Sequence, residues 1–193
     1  MMRLVEYIKG IELNKLHKRL VSHYKDVDHH SAASQYTDSP SKTNLDNLDR
    51  ELHSHSTPFA MSVYSGTRTN IHSIAPSKDG YRRLTHVGVT STSIDHRIAK
   101  GFTQSHTEDE HNNHEHVLHI HLPKGHPGAY VAHVSKAHSL DDIPLEVNEK
   151  EFVLPRGTKL KLHPKPVTTT HTSHMPSGDY HNHTHTWHAT VEK

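Results

Sequence analysis

The sequence predicts an α+β protein, in which helices precede a body made mostly of β-strands. Apolar residues recur at helical spacing near the N-terminus, whereas from Pro58 onward short apolar or alternating runs are separated by turns. Strands and helices do not alternate, and neither G-x-G-x-x-G nor a P-loop occurs, so a Rossmann-type site is excluded. We therefore expect a single domain, 1–193, comprising a helical part at 1–57, a β core at 58–163 and a His/Thr-rich tail at 164–193.

Composition narrows the possible partners. Lys and Arg number 22 against 21 Asp and Glu, so the chain has no strong net charge that would indicate nucleic acid or an anionic membrane as a partner. Cysteine is absent, which excludes disulfides, cysteine-type zinc sites and thiol catalysis. The sequence also lacks a signal-peptide pattern and any apolar run of membrane-spanning length, so a cytosolic protein is expected. Histidine is unusually abundant, with 25 copies.

Two helical stretches are predicted at the start of the chain. One or two amphipathic helices are expected from Leu4 to about His23, with an interruption at Gly10. Residues 26–40 read as a loop, after which Thr43 can cap a second helix. That helix carries Leu45, Leu48 and Leu52.

The β core begins with a strand at 58–68, in which a glycine is followed closely by an arginine. A loop is expected at 70–83, and a second strand at 86–89 runs into a hydroxyl-rich end at which Ser93 can cap a helix reaching Phe102. A His-rich loop is expected at 105–114. Further strands are predicted at 116–122, 129–134, 149–154, 158–163 and, in the tail, 184–191.

Two carboxylates, Glu149 and Glu151, stand at the entry to the strand at 149–154. Because strand residues alternate faces, the two glutamates are expected on one face roughly 7 Å apart, with Phe152 and Leu154 on the other. A solvated edge strand is the ordinary explanation of such a pair taken alone. The features that precede it in the chain favour a functional explanation.

A strand followed by an arginine, then Thr90-Ser91-Thr92-Ser93, then E-x-E, in that order, resembles the R-S-E pattern of toxin-like, arginine-modifying mono-ADP-ribosyltransferases. Ala99 and Phe102 fall at the small and aromatic core positions of that family, and Glu149 to Thr158 looks like its catalytic strand. The segment Gln35-Tyr36-Thr37 is loosely similar to the family's helix before the first strand. The likeness covers about residues 35–163 and is strongest to the small transferases of T-even-type bacteriophages.

The resemblance implies a two-sheet β core and transfer of ADP-ribose from NAD to arginine side chains, with release of nicotinamide. It implies that Glu151 holds the ribose 2′-hydroxyl and stabilises the oxocarbenium-like centre, and that Glu149 meets the incoming guanidinium. Ser91 would orient Glu151 or the ribose, and Arg68 would hold the pyrophosphate. The other NAD-binding candidates are Gly66 and Tyr64.

One departure from the family pattern concerns the arginine. The family usually has Tyr-Arg-Gly, whereas this chain has Tyr64-Ser65-Gly66 and the arginine follows at Arg68. Strand alternation places Arg68 on the Tyr64 face only if the chain stays extended through Gly66. Arg82 and Arg83 are the alternatives.

The resemblance further implies NAD as substrate, no metal cofactor, and a target protein that carries a reactive arginine. Host transcription or translation machinery in the cytoplasm of an infected bacterium is the expected target, with NAD-capped RNA as an alternative donor and no membrane partner. The loop at 139–148 is expected to carry target recognition.

Two rival functions stay open from the sequence alone. One is a non-enzymatic, His-rich metal-binding protein, because His114 and His116, and likewise His119 and His121, form H-x-H pairs that share a strand face. Such pairs also arise by chance in this chain, for example in the tail. The other rival is an NAD glycohydrolase of the same fold.

Overall fold

The computed structural model describes residues 2–24, 42–103, 106–109, 111–131, 150–176 and 178–192. Within these ranges the helices are α1 (Met2–His23), α2 (Lys42–Ser54) and α3 (His96–Lys100), with a 3₁₀ turn at Ile71–Ser73. The strands are β1 (Met61–Thr67), β2 (Arg82–Thr85), β3 (Thr90–Ser93), β4 (His106–Asp109), β5 (Asn112–Leu122), β6 (Ala129–Tyr130), β7 (Glu151–Leu154), β8 (Lys159–Leu162), β9 (Val167–Met175) and β10 (Gly178–Val191). No helix in this part of the chain is long and apolar enough to cross a membrane.

The strand order is β2-β8-β10-β5-β1-β3-β7-β6, with β4 added beside β5 and β9 beside β10. All pairs are antiparallel except β10 with β5, which run parallel over ten residue pairs. The tail strand therefore lies inside the sheet, and the possible final strand at 184–191 is part of the longer β10.

The predicted α+β class is confirmed, but the expectation of two sheets needs a correction. Hydrogen bonding links the ten described strands into one network. The link is narrow, because β1 pairs with β5 over seven residues and with β3 only at Tyr64 and Ser93. The three strands β3, β7 and β6 thus continue the larger sheet through a single residue pair.

One face of the larger sheet forms the core. A row of four opposed residues on β1, β5, β10 and β8 is almost completely inaccessible to solvent; it comprises Val63, Ile120, Ala189 and Leu162. Each neighbouring residue along these strands points to the opposite face, because side chains alternate with a period of two. The opposite face is therefore free to carry polar residues.

The N-terminal helices pack against the strand that carries Glu151. Tyr24 lies just beyond α1 and meets the ring of Phe152 edge-on, with ring centroids 6.1 Å apart. The Tyr24 hydroxyl donates to the carbonyl of Ser56 at 2.9 Å. Leu48 and Leu52 on α2 are buried in the same core, as the helical spacing predicts.

Several predicted boundaries change. The strand expected at 86–89 is wrong: β2 ends at Thr85, and the chain bends through an exposed Val87 and Gly88 before β3. Asp95, not Ser93, caps α3. Phe102 is 57% exposed and so is not a core residue. The loop expected at 105–114 contains β4, and β9 was not predicted at all; the segments 26–40 and 139–148 lie outside the described residues.

Gly66 allows β1 to lie close to the end of α3, and a substitution at this position tests that packing. A Cβ at Gly66 would lie 2.2 Å from the carbonyl oxygen of Ala99, a backbone atom that cannot turn aside. We expect Gly66→Ala to cost about 1–3 kcal/mol of unfolding free energy, or roughly 2–12 °C in Tm. Thermal unfolding followed by circular dichroism measures this. Gly88→Ala is the control, since a Cβ there meets nothing within 4 Å; equal Tm values for the two variants would contradict the contact.

Candidate active site

A row of polar side chains crosses five neighbouring strands on the face opposite the core. His188 on β10 lies opposite His119 on β5, which lies opposite Tyr64 on β1. Tyr64 in turn lies opposite Ser93 on β3, and Ser93 lies opposite Glu151 on β7. Because directly opposed residues project from the same face of a sheet, the five side chains share one surface. This surface, named here the polar face, is where Glu151 is found.

Glu151 is half-buried and begins β7. Its carbonyl accepts a hydrogen bond from the backbone N–H of Val131 at 3.0 Å, so the strand is held on both sides from its first residue. The next residue, Phe152, is completely buried on the opposite face. Because side chains alternate along β7, burial of Phe152 places Glu151 on the polar face.

The residue before Glu151 does not continue the strand. Lys150 has a φ of 47°, and it is the one non-glycine residue with positive φ in the described part of the chain. Alternation of faces requires extended backbone, so it cannot be used across Lys150 to place Glu149 beside Glu151. Glu149 itself lies outside the described residues, and its predicted role stays a prediction.

Lys150 is held in this conformation by Asp95, the cap of α3. The ammonium of Lys150 lies 3.1 Å from Asp95 Oδ2, and the Lys150 carbonyl accepts from the backbone N–H of Ile94 at 3.0 Å. Asp95 Oδ1 also accepts from the backbone N–H of Arg97 at 3.0 Å. Burial alone would raise the pKa of Asp95, but the hydrogen bonds from Arg97 and Lys150 outweigh it and lower the pKa to about 2. The start of α3 and the entry to β7 thus form one unit.

The structure places two serines of the hydroxyl-rich segment on the polar face. Ser93 lies directly opposite Glu151, and its hydroxyl is 3.4 Å from the Lys150 carbonyl. Ser91 is exposed and lies opposite Val153, which makes it a diagonal neighbour of Glu151 at about 7–8 Å. Ser91 keeps its predicted role as a prediction, while Ser93, which was expected only as a cap, is the serine facing the glutamate.

Tyr64 occupies the middle of the polar row. Its ring stacks on His119 with centroids 4.6 Å apart and meets His96 of α3 edge-on at 5.4 Å. Burial, together with the nearby charge of Asp95, raises the pKa of the Tyr64 hydroxyl, which is therefore neutral at pH 7. The Tyr64 ring thus lies between the histidines of β5 and α3 and the serine that faces Glu151.

A family model described as ADP-ribosyltransferase exoenzyme matches residues 22–175, which is most of the chain. The chain belongs to the ADP-ribosyltransferase exoenzyme family. It is therefore an ADP-ribosyltransferase, with NAD as the substrate that supplies ADP-ribose. No curated protein matches the sequence.

The chain is also similar to several solved structures, and one of them, with a TM-score above 0.5, shares its fold. C3stau2 from S. aureus, determined with NAD, is 18% identical, has a TM-score of 0.56, and is matched over 95% of each chain. C3larvin from Paenibacillus larvae is 21% identical over 91% of this chain and 86% of its own, with a TM-score of 0.40. Plx2a from the same organism is 14% identical over 92% and 86%, with a TM-score of 0.46. All three are described as ADP-ribosyltransferases or determined with NAD.

Arg68, which was predicted to hold the pyrophosphate in this ADP-ribosyltransferase, lies just past the end of β1. Arg68 is exposed and lines a surface pocket of about 390 Å³ together with Gly101, Phe102 and Thr103. Arg68 follows Tyr64 by four residues, or roughly 13 Å of extended chain. Gly66, between them, lies against the backbone at the end of α3, which gives it a packing role beside its predicted one.

The two alternative arginines are at the opposite edge of the sheet. Five strand steps separate β2 from β3, or roughly 24 Å at the usual strand spacing. Arg82 lies on the core side, with its guanidinium over the ring of Trp187, and donates to the carbonyls of Ile74 and Pro164. Arg83 pairs with Asp79 and Glu192. Both arginines are thus engaged in the fold, far from Glu151.

The two H-x-H pairs fall into different surroundings. His116 is completely buried and accepts a hydrogen bond from Trp187 Nε1 at 3.1 Å, on the core side. His119 and His121 lie on the polar face, where one ring nitrogen of each approaches one of His188 within 4.8 Å. Burial, followed by the neighbouring histidines, lowers the pKa of His119 to about 4, and the pKa of His121 is lowered for the same reasons.

The capping carboxylate offers a test of the unit that positions Glu151. Because the pKa of Asp95 is below its ordinary value of 3.8, its ionised form stabilises the folded state above about pH 4, and this stabilisation is lost as the pH falls toward 2. We expect Asp95→Asn to lower the unfolding free energy by about 2 kcal/mol at pH 6, with the difference shrinking below pH 4. Urea titrations of both proteins from pH 6 to pH 2.5 measure this. A difference that stays constant with pH would contradict the assigned role.

Proposed function

We propose that this ADP-ribosyltransferase moves ADP-ribose from NAD to arginine side chains of target proteins, with Glu151 acting at the bond that breaks. The observation that supports it most is the row of Tyr64, Ser93 and Glu151, which places an aromatic ring, a buried hydroxyl and a carboxylate in line on one face of the sheet. These are the groups needed to seat nicotinamide and to stabilise a positively charged ribose.

The reaction breaks the bond between ribose C1′ and the nicotinamide ring nitrogen. The bonding electron pair leaves with nicotinamide and neutralises its ring, while positive charge develops on the ribose. A carboxylate held beside the ribose stabilises charge that is present only in the transition state. Glu151 is held for this task by the buried Phe152 behind it and by the fixed Lys150 before it.

The acceptor half of the reaction is assigned to Glu149. A guanidinium nitrogen forms the new bond to C1′, and its proton passes to the carboxylate of Glu149. The left-handed conformation of Lys150 means that Glu149 need not share the strand geometry of Glu151, so the two carboxylates can address different reactants. Arginine as the acceptor rests on the resemblance of the E-x-E segment to arginine-modifying enzymes.

The pyrophosphate of NAD is assigned to Arg68. The pocket that Arg68 shares with Gly101, Phe102 and Thr103 adjoins the end of β1, beyond Gly66 on the Tyr64 strand. A guanidinium there can donate two parallel hydrogen bonds to phosphate oxygens. Ser91, which is exposed, is proposed to contact the ribose.

We further propose that the target lies in the cytoplasm of a bacterial host, with transcription or translation proteins as candidates and NAD-capped RNA as an alternative donor. Only the resemblance to phage transferases supports this. Labelled NAD added to a bacterial lysate, followed by mass spectrometry of the modified peptides, identifies the target and the modified residue.

Substituting Glu151 and substituting Glu149 should impair different steps of the reaction. Glu151→Gln removes the charge that stabilises the ribose, so it should abolish both nicotinamide release and protein labelling. Glu149→Gln should eliminate arginine labelling but leave slow NAD hydrolysis, because water needs no guanidinium-binding carboxylate. Nicotinamide release and labelled protein are measured side by side. Wild-type hydrolysis without any labelled arginine in the lysate would instead identify an NAD glycohydrolase.

Arg68→Ala should weaken NAD binding about 10- to 100-fold, because a lost ionic hydrogen bond is worth roughly 1.5–3 kcal/mol. Calorimetric titration with NAD measures the change. Arg50→Ala is the charge-matched control, since Arg50 is exposed on α2, away from the polar face. An unchanged NAD affinity in Arg68→Ala would remove Arg68 from the site.

A further inference from the structure

We propose that His119, His121 and His188 form a binding site for a divalent transition-metal ion, with Zn²⁺ as the favoured occupant. Of this cluster, the sequence showed only the H-x-H pair of His119 and His121 on β5. The parallel pairing of β10 with β5 brings in His188 directly opposite His119, although the two residues are 69 positions apart. Three imidazoles from two strands therefore meet on one surface.

The distances suit shared coordination. One ring nitrogen of each histidine lies within 4.8 Å of the others, and His188 Nδ1 is 3.5 Å from His121 Nε2. Two nitrogens bound to one tetrahedral zinc at 2.0–2.1 Å are themselves about 3.3 Å apart. The His121 and His188 rings are nearly parallel, at 10°, with centroids 5.8 Å apart, so both rings must rotate for their nitrogen lone pairs to face one ion.

The surroundings of the rings favour ligation. Ser62 Oγ lies 3.1 Å from His121 Nδ1, which directs His121 Nε2 toward the cluster, as outer-shell hydrogen bonds do in metal sites. His119 Nε2 is buried and has no hydrogen-bond partner among the described residues. A buried nitrogen without a partner is costly, and a metal ion would satisfy it.

The ligand set selects the type of ion. Neutral imidazoles suit zinc, copper and nickel, whereas calcium and magnesium need oxygen ligands. Three histidines leave one position of a tetrahedral ion for water. The site lies three strand steps from Glu151, or roughly 14 Å, so the ion is not placed to act on the bond that Glu151 is proposed to break. Its effect is to join β5 to β10, and it does not depend on the proposed transfer reaction.

Zn²⁺ binding to the full, tag-free chain tests the proposal by calorimetry in competition with a chromophoric chelator. We expect one tight site per chain in the wild type. The variant H119Q/H121Q/H188Q should lose it, with affinity reduced at least 100-fold. Ser62→Ala should reduce affinity about 10-fold, as loss of an outer-shell partner does. Saturating Zn²⁺ should also raise the Tm of the wild type and not that of the triple variant.

The control must account for the many other histidines. H53Q/H171Q/H174Q removes the same number of histidines from exposed positions on α2 and β9, outside the cluster. It should retain the tight site. Circular dichroism in chelator checks that each variant folds; if the triple variant does not, His121→Gln alone is used, since His121 is exposed. Equal Zn²⁺ affinity in the cluster variant and the control, or only weak multiple binding in the wild type, would overturn the proposal.

Discussion

The burial of Phe152 is the constraint on which the candidate site depends. Its ring is enclosed by Tyr24 from the N-terminal part and by the backbone at Gly128, where a Cβ would lie 2.6 Å from the Phe152 ring. Because side chains alternate along β7, fixing Phe152 in the core fixes Glu151 on the polar face. Tyr24, just beyond α1, and Gly128 carry none of the predicted chemistry, yet they help to determine the orientation of the residue expected to act on NAD.

A second constraint acts on the turn into β7. The positive φ of Lys150 costs free energy relative to the extended conformation of a strand residue. Such strain persists only where surrounding contacts hold it. Asp95 supplies those contacts, since it caps α3 and pairs with Lys150 at once. The start of α3 and the entry to β7, distant in sequence, are in this way joined by an ion pair and a backbone hydrogen bond.

The many histidines divide by face and by strand. In the hairpin of β9 and β10, threonine hydroxyls pair with the imidazoles opposite them at 2.9 Å, as in Thr168 with His185 and Thr170 with His183. His116 lies in the core and accepts from Trp187. These rings are explained by the hydrogen bonds they make. The cluster on the polar face is different, because its nitrogens converge on one another.

Local patterns in the sequence were enough to predict several elements of the fold. The α+β class, the helix with Leu48 and Leu52, the strand holding Tyr64 and the strand of Glu151 and Phe152 follow from apolar periodicity. The hydroxyl-rich and E-x-E segments suggested an ADP-ribosyltransferase, which the family match confirms at that level. Which residues meet could be learned only from the folded protein. The register that sets Ser93 opposite Glu151, the central place of β10 and the remote position of Arg82 depend on pairing between distant segments, and local periodicity carries no information about which strands become neighbours.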